Sequence, residues 1–190
     1  MVNWNLLDEP WIELGDWLES GSGNREINPP GQLHHTGDKK TYKVLPLGLP
    51  DIFTLEFRQA INIHAFSLNT GGFNGVDNFT LMIFPAYIEV FTNSGSTKYY
   101  IDNIVNVWYI WRLECDSKVG GEMTVYRDDV PLTTFTDVRD RVTDDGQVYI
   151  QSYTFGELHQ DYIRIAAPIP FPLVKTKMSD KGMRGVLREI

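Results

Sequence analysis

Apolar side chains recur at every second position along most of this chain, which is the spacing of a half-buried strand and not of a helix. In Phe53, Leu55 and Phe57 the apolar set points one way while Thr54, Glu56 and Arg58 point the other. The alternation continues through residues 61–67, 79–84, 87–92 and 97–101. The breaks between these runs, Gly71-Gly72, Pro85 and Asn93-Ser94-Gly95, are turn chemistry. Residues 108–116 and 122–127 form the clearest pair, joined by Ser117-Lys118-Val119-Gly120-Gly121, a stretch suited to a hairpin. Residues 147–154 and 161–166 complete the set. Short strands with regular turns and almost no 3.6-residue periodicity predict an all-β fold. A two-sheet antiparallel sandwich is preferred over a barrel because several strands are apolar on both faces.

The two ends read differently from the middle. Residues 11–17 look like an N-terminal strand, and residues 18–40, rich in Gly, Ser, Asn and Pro, look like an extended surface loop. Beyond Ala167, Pro168-Ile169-Pro170-Phe171-Pro172 cannot donate a regular ladder of hydrogen bonds and should be extended. The expected organisation is therefore a strand and loop over 1–49 packing on the sandwich, the sandwich itself over 50–167, and a Pro-rich arm and basic tail over 168–190.

Composition excludes some partners. A net charge of -8 and a pI near 4.9 give no long-range attraction for nucleic acid or an anionic membrane. Cys115 is the only cysteine, so an intrachain disulfide and a cysteine-based zinc site are both excluded, and its place in an apolar strand implies a buried thiol. The first residues have no basic start followed by an apolar core, and no apolar run is long enough to span a bilayer, so neither a signal peptide nor a membrane span is expected.

Trp108-Tyr109-Ile110-Trp111-Arg112-Leu113-Glu114-Cys115, a Gly-rich turn, and Met123-Thr124-Val125-Tyr126-Arg127-Asp128-Asp129-Val130 resemble the adjacent-strand signature of concanavalin A-like and laminin-G-like domains. Asp129 stands where those families usually carry Gly. Residues 54–58 and 161–165 resemble the early and closing strands of the same sandwiches, so the resemblance covers roughly residues 50–167. It implies a jelly-roll fold and no particular activity. The opening, Trp17 through Ser22 to Pro29-Pro30-Gly31-Gln32-Leu33, is similar to N-termini of surface or tail proteins of tailed-phage virions.

Several constellations bear on chemistry. Laminarinase-like sandwich glycosidases place Glu-x-Asp-x-x-Glu on one strand, with two carboxyls about 5 Å apart for a retaining mechanism. This chain has no such spacing; Glu114 and Asp116 share a face without a third carboxylate. Arg58, Asn62 and His64 share one strand face, and Asn62-Ile63-His64 resembles the Gln-Ile-His of alginate-lyase-like sandwiches, in which His64 would be the base. The family's Arg-rich strand and closing Tyr-Lys-x-Gly-x-Tyr pattern are missing. Calcium sites at the rims of such folds use loop oxygens, and Asp77, Asp102 and Asp128 are loop acids of the right type, although turn-forming accounts for each of them too. His34 and His35 read as a solvated loop pair. Among the clustered aromatics, Tyr126 and Tyr153 are the candidate sugar platforms, with Arg58 and His64 beside them.

Together these features point to a non-catalytic binding or structural module without an obligatory cofactor. The leading expectation is a virion decoration, fibre or tail component, in the virion or extracellular. It would dock onto another copy or another virion protein through Phe171, Leu173, Lys175, Lys177 and Arg184. A lectin-like carbohydrate-binding domain is the second expectation and a polysaccharide lyase the third.

Overall fold

The computed structural model describes residues 4–29, 31–45, 50–61, 66–70, 79–92, 95–116, 121–138, 147–152 and 156–167. In chain order the strands are β1 (Leu7–Glu9), β2 (Leu18–Gly21), β3 (Asn24–Asn28), β4 (Gln32–Thr36), β5 (Lys39–Val44), β6 (Ile52–Ile61), β7 (Phe66–Thr70) and β8 (Phe79–Ile83). They continue as β9 (Tyr87–Thr92), β10 (Gly95–Tyr100), β11 (Tyr109–Asp116), β12 (Gly121–Arg127), β13 (Val130–Val138), β14 (Gln147–Ser152) and β15 (Glu157–Ala166). Among the described residues there is no helix, and so none long and apolar enough to cross a membrane.

The hydrogen-bonded path runs β2-β5-β14-β7-β8-β9-β13-β12-β11-β6-β15-β4-β3, with β1 added to β15 and β10 to β9. It folds over at β13, where only Val138 pairs with Thr92 of β9. One layer is then β3-β4-β15-β6-β11-β12-β13 and the other β2-β5-β14-β7-β8-β9-β10. The inward residues of both enter one core: Phe53, Leu55, Phe57, Trp111, Leu113, Val125, Ile163 and Ile165 from the first, Leu81, Ile83, Ile88, Val90, Val148 and Ile150 from the second. Each buried Leu, Ile or Phe contributes about 1.5–3 kcal/mol relative to exposure. Cys115 lies in this core, as its strand context implies.

Alternation located most of the strands, but residues 61–67, expected as one strand, instead close β6 at Ile61 and open β7 at Phe66, and three further regions differ from the sequence expectation. Residues 11–17 form a turn instead of a strand: Trp11 (φ 50°) and Gly15 (φ 48°) are left-handed, and the Trp17 amide donates to the Leu14 carbonyl at 2.9 Å. Their apolar character comes from two buried indoles 4.7 Å apart. Trp11 Nε1 donates to Gln160 Oε1 and Trp17 Nε1 to Glu9 Oε2. The strand at this end is β1.

Residues 18–40, expected as a surface loop, carry β2, β3 and β4 and the start of β5. These pair with β15 through β4 and with β14 through β5. Here glycine permits close backbone approach. A Cβ on Gly21 (φ +96°) would lie 2.3 Å from the Asp38 carbonyl oxygen, and one on Gly23 would lie 2.0 Å from that of Thr36. The third region is β13, whose Thr-rich sequence and Pro131 hide it. Only Phe135 and Val138 are buried, as suits a strand with one fully paired edge.

Two predictions follow from this packing. Gly23→Ala must displace backbone, so it should lower the melting temperature and destabilise the fold by more than the roughly 1 kcal/mol that an unstrained Gly-to-Ala change adds. An unchanged melt would show that the β2–β3 turn is loosely held.

The second concerns His35, which is fully buried with Nε2 2.7 Å from the Thr41 hydroxyl. Burial first, then the charges of Arg25 and Lys39, push its pKa down to about 3. The folded chain keeps this ring neutral while the unfolded chain takes up a proton near pH 6.5, so its contribution is full above pH 6.5 and is lost as pH falls. Between about pH 5.5 and 4 urea melts should lose about 1.4 kcal/mol per pH unit from this one group. His35→Gln should flatten that slope, and equal slopes for both chains would refute the assignment.

Candidate functional site

Pleating divides the first layer into two chemistries. On β6, Phe53, Leu55, Phe57 and Gln59 face inward, so Thr54, Glu56 and Arg58 face outward; on β11, Trp111, Leu113 and Cys115 are buried while Ile110, Arg112 and Glu114 are not. Register then lines the outward residues up as rows across the strands.

One row runs from Arg164 on β15 to Glu56, Arg112 and Tyr126 on β6, β11 and β12. Arg164 donates to Glu56 Oε1 from Nε (3.1 Å) and Nη2 (2.7 Å), and Tyr162 Oη donates to the same oxygen at 2.9 Å. The Arg164 guanidinium lies 4.9 Å from the Trp4 ring centroid and 4.3 Å from that of Tyr162. The Arg112 guanidinium lies 4.2 Å from the Tyr126 centroid, and Tyr126 Oη donates to Glu114 Oε2 at 2.9 Å. That bond is the first cause holding the Tyr126 phenol above its ordinary pKa; for Tyr162 the first cause is burial.

The neighbouring row holds Arg58, ion-paired with Asp161 and 5.0 Å from the centroid of Trp108. A bulge between Gln160 and Tyr162 brings Asp161 to this position. A third row joins Glu26 on β3, His34 on β4 and His159 on β15. The two imidazoles stack with centroids 4.4 Å apart and planes 8° from parallel, and Trp108 lies 6.4 Å from His159. His34 Nδ1 is 2.9 Å from Glu26 Oε1 and its Nε2 is 3.0 Å from Glu157 Oε1. His159 Nε2 is 3.4 Å from the same Glu157 oxygen. Burial first, then the neighbouring His34, lowers the pKa of His159.

At one end of the face the turn after β12 places Asp128 (φ 51°) and Asp129 (φ 64°) in the two left-handed positions of a type I′ hairpin. Asp129 thus supports a conformation that glycine adopts more readily, and its carboxylate accepts from Arg112. Asp128 Oδ1 accepts from the Ile110 amide at 2.9 Å. The Asp102 carbonyl accepts from Arg127 Nη1 at 2.7 Å.

Of the four residues expected to bind carbohydrate, Arg58 and Tyr126 are brought to the same face in adjacent rows, while His64 and Tyr153 lie outside the described residues. Of the expected calcium ligands, Asp77 also lies outside them. Asp102 and Asp128 belong to no group of three metal-ligating side chains among the described residues; Asp128 is a turn residue and cap. The expected docking residues Phe171, Leu173, Lys175, Lys177 and Arg184 are outside the described set as well. Sequence reasoning missed Trp108 as a surface aromatic, although its parity, opposite to buried Trp111, carried the signal. It also treated His34 as a loop residue, because β4 was not recognised.

No protein-family model and no curated protein matches the chain. Its fold matches solved structures along most of its length. A Bacillus licheniformis β-glucanase is 12% identical with a TM-score of 0.63, over 85% of this chain and 98% of the other. The carbohydrate-binding module CBM66 from Bacillus subtilis is 17% identical with a TM-score of 0.55, over 78% and 94%. A carbohydrate esterase from Shiga toxin-encoding bacteriophage phi24B is 12% identical with a TM-score of 0.59, over 84% and 96%. The chain spans 42% of a botulinum neurotoxin type C chain and 17% of a sialidase chain that share the fold. At these identities the likeness is one of architecture, and the chain folds as a jelly-roll, concanavalin-like antiparallel β-sandwich.

Proposed function

We propose that this chain is a non-catalytic module that binds a glycan on the outer face of the β15-β6-β11-β12 layer. Trp108 is the stacking platform, and Arg58, Arg112 and Tyr126 supply hydrogen bonds to hydroxyls. The observation that carries the reading is the arginine–aromatic arrangement across that face, where apolar ring surface and fixed donors alternate at the spacing of neighbouring strands. Sugars present the same alternation of apolar faces and hydroxyl edges. Among structures of this architecture, CBM66 is a carbohydrate-binding module, and cell entry of botulinum neurotoxin type C depends on two ganglioside molecules. The lack of any Glu-x-Asp-x-x-Glu strand supports binding without hydrolysis.

A glycan array should return at least one ligand class without turnover. Trp108→Ala should weaken binding to it at least ten-fold, a loss of about 1.4 kcal/mol or more. Ile12→Ala, an exposed change in the turn before β2, should leave it unaltered. An empty array, or equal binding by the two variants, would remove the proposal.

The likeness of fold to a bacteriophage esterase, over 84% of this chain, motivates a second reading, in which the module sits in a virion and docks through residues 168–190. Light scattering on the full chain and on a chain ending at Ala167 tests this. Assembly of the first and a folded monomer of the second support docking; two monomers refute it.

A further inference from the structure

We infer that His34, Glu157 and His159 form a binding site for a transition-metal dication, zinc or nickel in character, at the β4–β15 edge of the outer face. This inference stands apart from glycan binding. His34 and His159 face each other in register, and Glu157 lies two residues before His159 on the same face. Their three ligand atoms all lie within 4.8 Å of one another. The Nε2-to-Oε1 separations of 3.0 and 3.4 Å match the spacing of neighbouring ligands on one cation, about 2.9–3.5 Å for bonds of about 2.0–2.2 Å.

Proton counting adds a second argument. A neutral imidazole has one N–H, yet both nitrogens of His34 face carboxylate oxygens, Glu26 at 2.9 Å and Glu157 at 3.0 Å. In either neutral tautomer one nitrogen lone pair points at an oxygen lone pair, so that nitrogen calls for a cation, a proton or a metal ion, between it and the carboxylate. A metal ion between His34 Nε2 and Glu157 converts that repulsion into two coordinate bonds, and the Nδ1–H donates to Glu26. This is the carboxylate–histidine–metal arrangement that fixes ring orientation and raises ligand basicity.

The nearly parallel rings must splay for both nitrogens to reach one ion, which a tilt of His159 out of the stack achieves. Two imidazoles and one carboxylate suit zinc, nickel or copper far better than calcium, which takes oxygen ligands. Three protein ligands leave at least one coordination position open.

The test is calorimetric titration of the tag-free, chelator-treated full chain with zinc sulfate, and separately with calcium chloride. Visible absorption of the cobalt-loaded chain reports the coordination geometry. One equivalent of zinc is expected, with binding weakened more than ten-fold in His159→Gln and in Glu157→Gln, and also weakened in Glu26→Gln. These near-isosteric changes lie on a partly solvated face, and their thermal melts show whether the fold is kept. Wild-type zinc affinity in folded His159→Gln or Glu157→Gln would overturn the site. Calcium binding as tightly as zinc would overturn it too. Loss of zinc binding with glycan binding intact would separate this inference from the proposed function.

Discussion

β6 is hydrogen-bonded along both edges, to β15 on one side and β11 on the other, with Phe57 opposite Ile163 and Trp111 and Leu55 opposite Ile165 and Leu113. Because side chains alternate with period two, these pairings decide at once what enters the core and what lines the outer surface. A slip of one residue would bury Arg58 and Glu56 and expose Phe57 and Leu55. Several kcal/mol of lost burial therefore hold the register, and the outer rows inherit their order from the inner ones.

That outer order is not explained by stability. Ion pairs such as Arg58–Asp161, Arg112–Asp129 and Arg164–Glu56 involve partly exposed side chains, and such pairs contribute about 0–1 kcal/mol each. The inner side at the histidine end is not optimised for stability either. Gln59 is buried and its amide has no hydrogen-bond partner among the described residues, and His35 is buried two strands away in the same layer. A layer built only for cohesion would place leucine at those positions. Outward polar groups held in fixed rows are what the glycan-binding face proposed above requires.

How much of this was legible in the sequence depends on what each residue does locally. The central strands were readable because Phe53, Leu55 and Phe57, and Trp111, Leu113 and Cys115, alternate cleanly with polar residues. Parity also set Arg58 opposite to Phe57 on its strand, while the cross-strand register that brings Tyr126 to the same face is a property of the fold. Parity failed where burial does not follow the alternation. Trp11 and Trp17 enter the core from a turn, and β13 has little to bury. The Gly-rich segment at 20–24 was misread because glycine marks flexibility and close packing alike, and only the Thr36 and Asp38 carbonyls, distant partners in the fold, decide between them. The His34–His159 pair is a contact across 125 positions that no local pattern encodes.

The edge of β15 is shared: β4 takes residues 157–160 and β1 takes 163–165. The Leu6 amide donates to the Ile165 carbonyl at 3.1 Å, and the Ala167 amide donates to Asn5 Oδ1 at 3.0 Å. Polypeptide on either side of the sandwich therefore leaves from a single corner, next to Trp4 and Arg164. Two connections so close together would let such a sandwich be inserted into a loop of another protein without separating the ends of that loop.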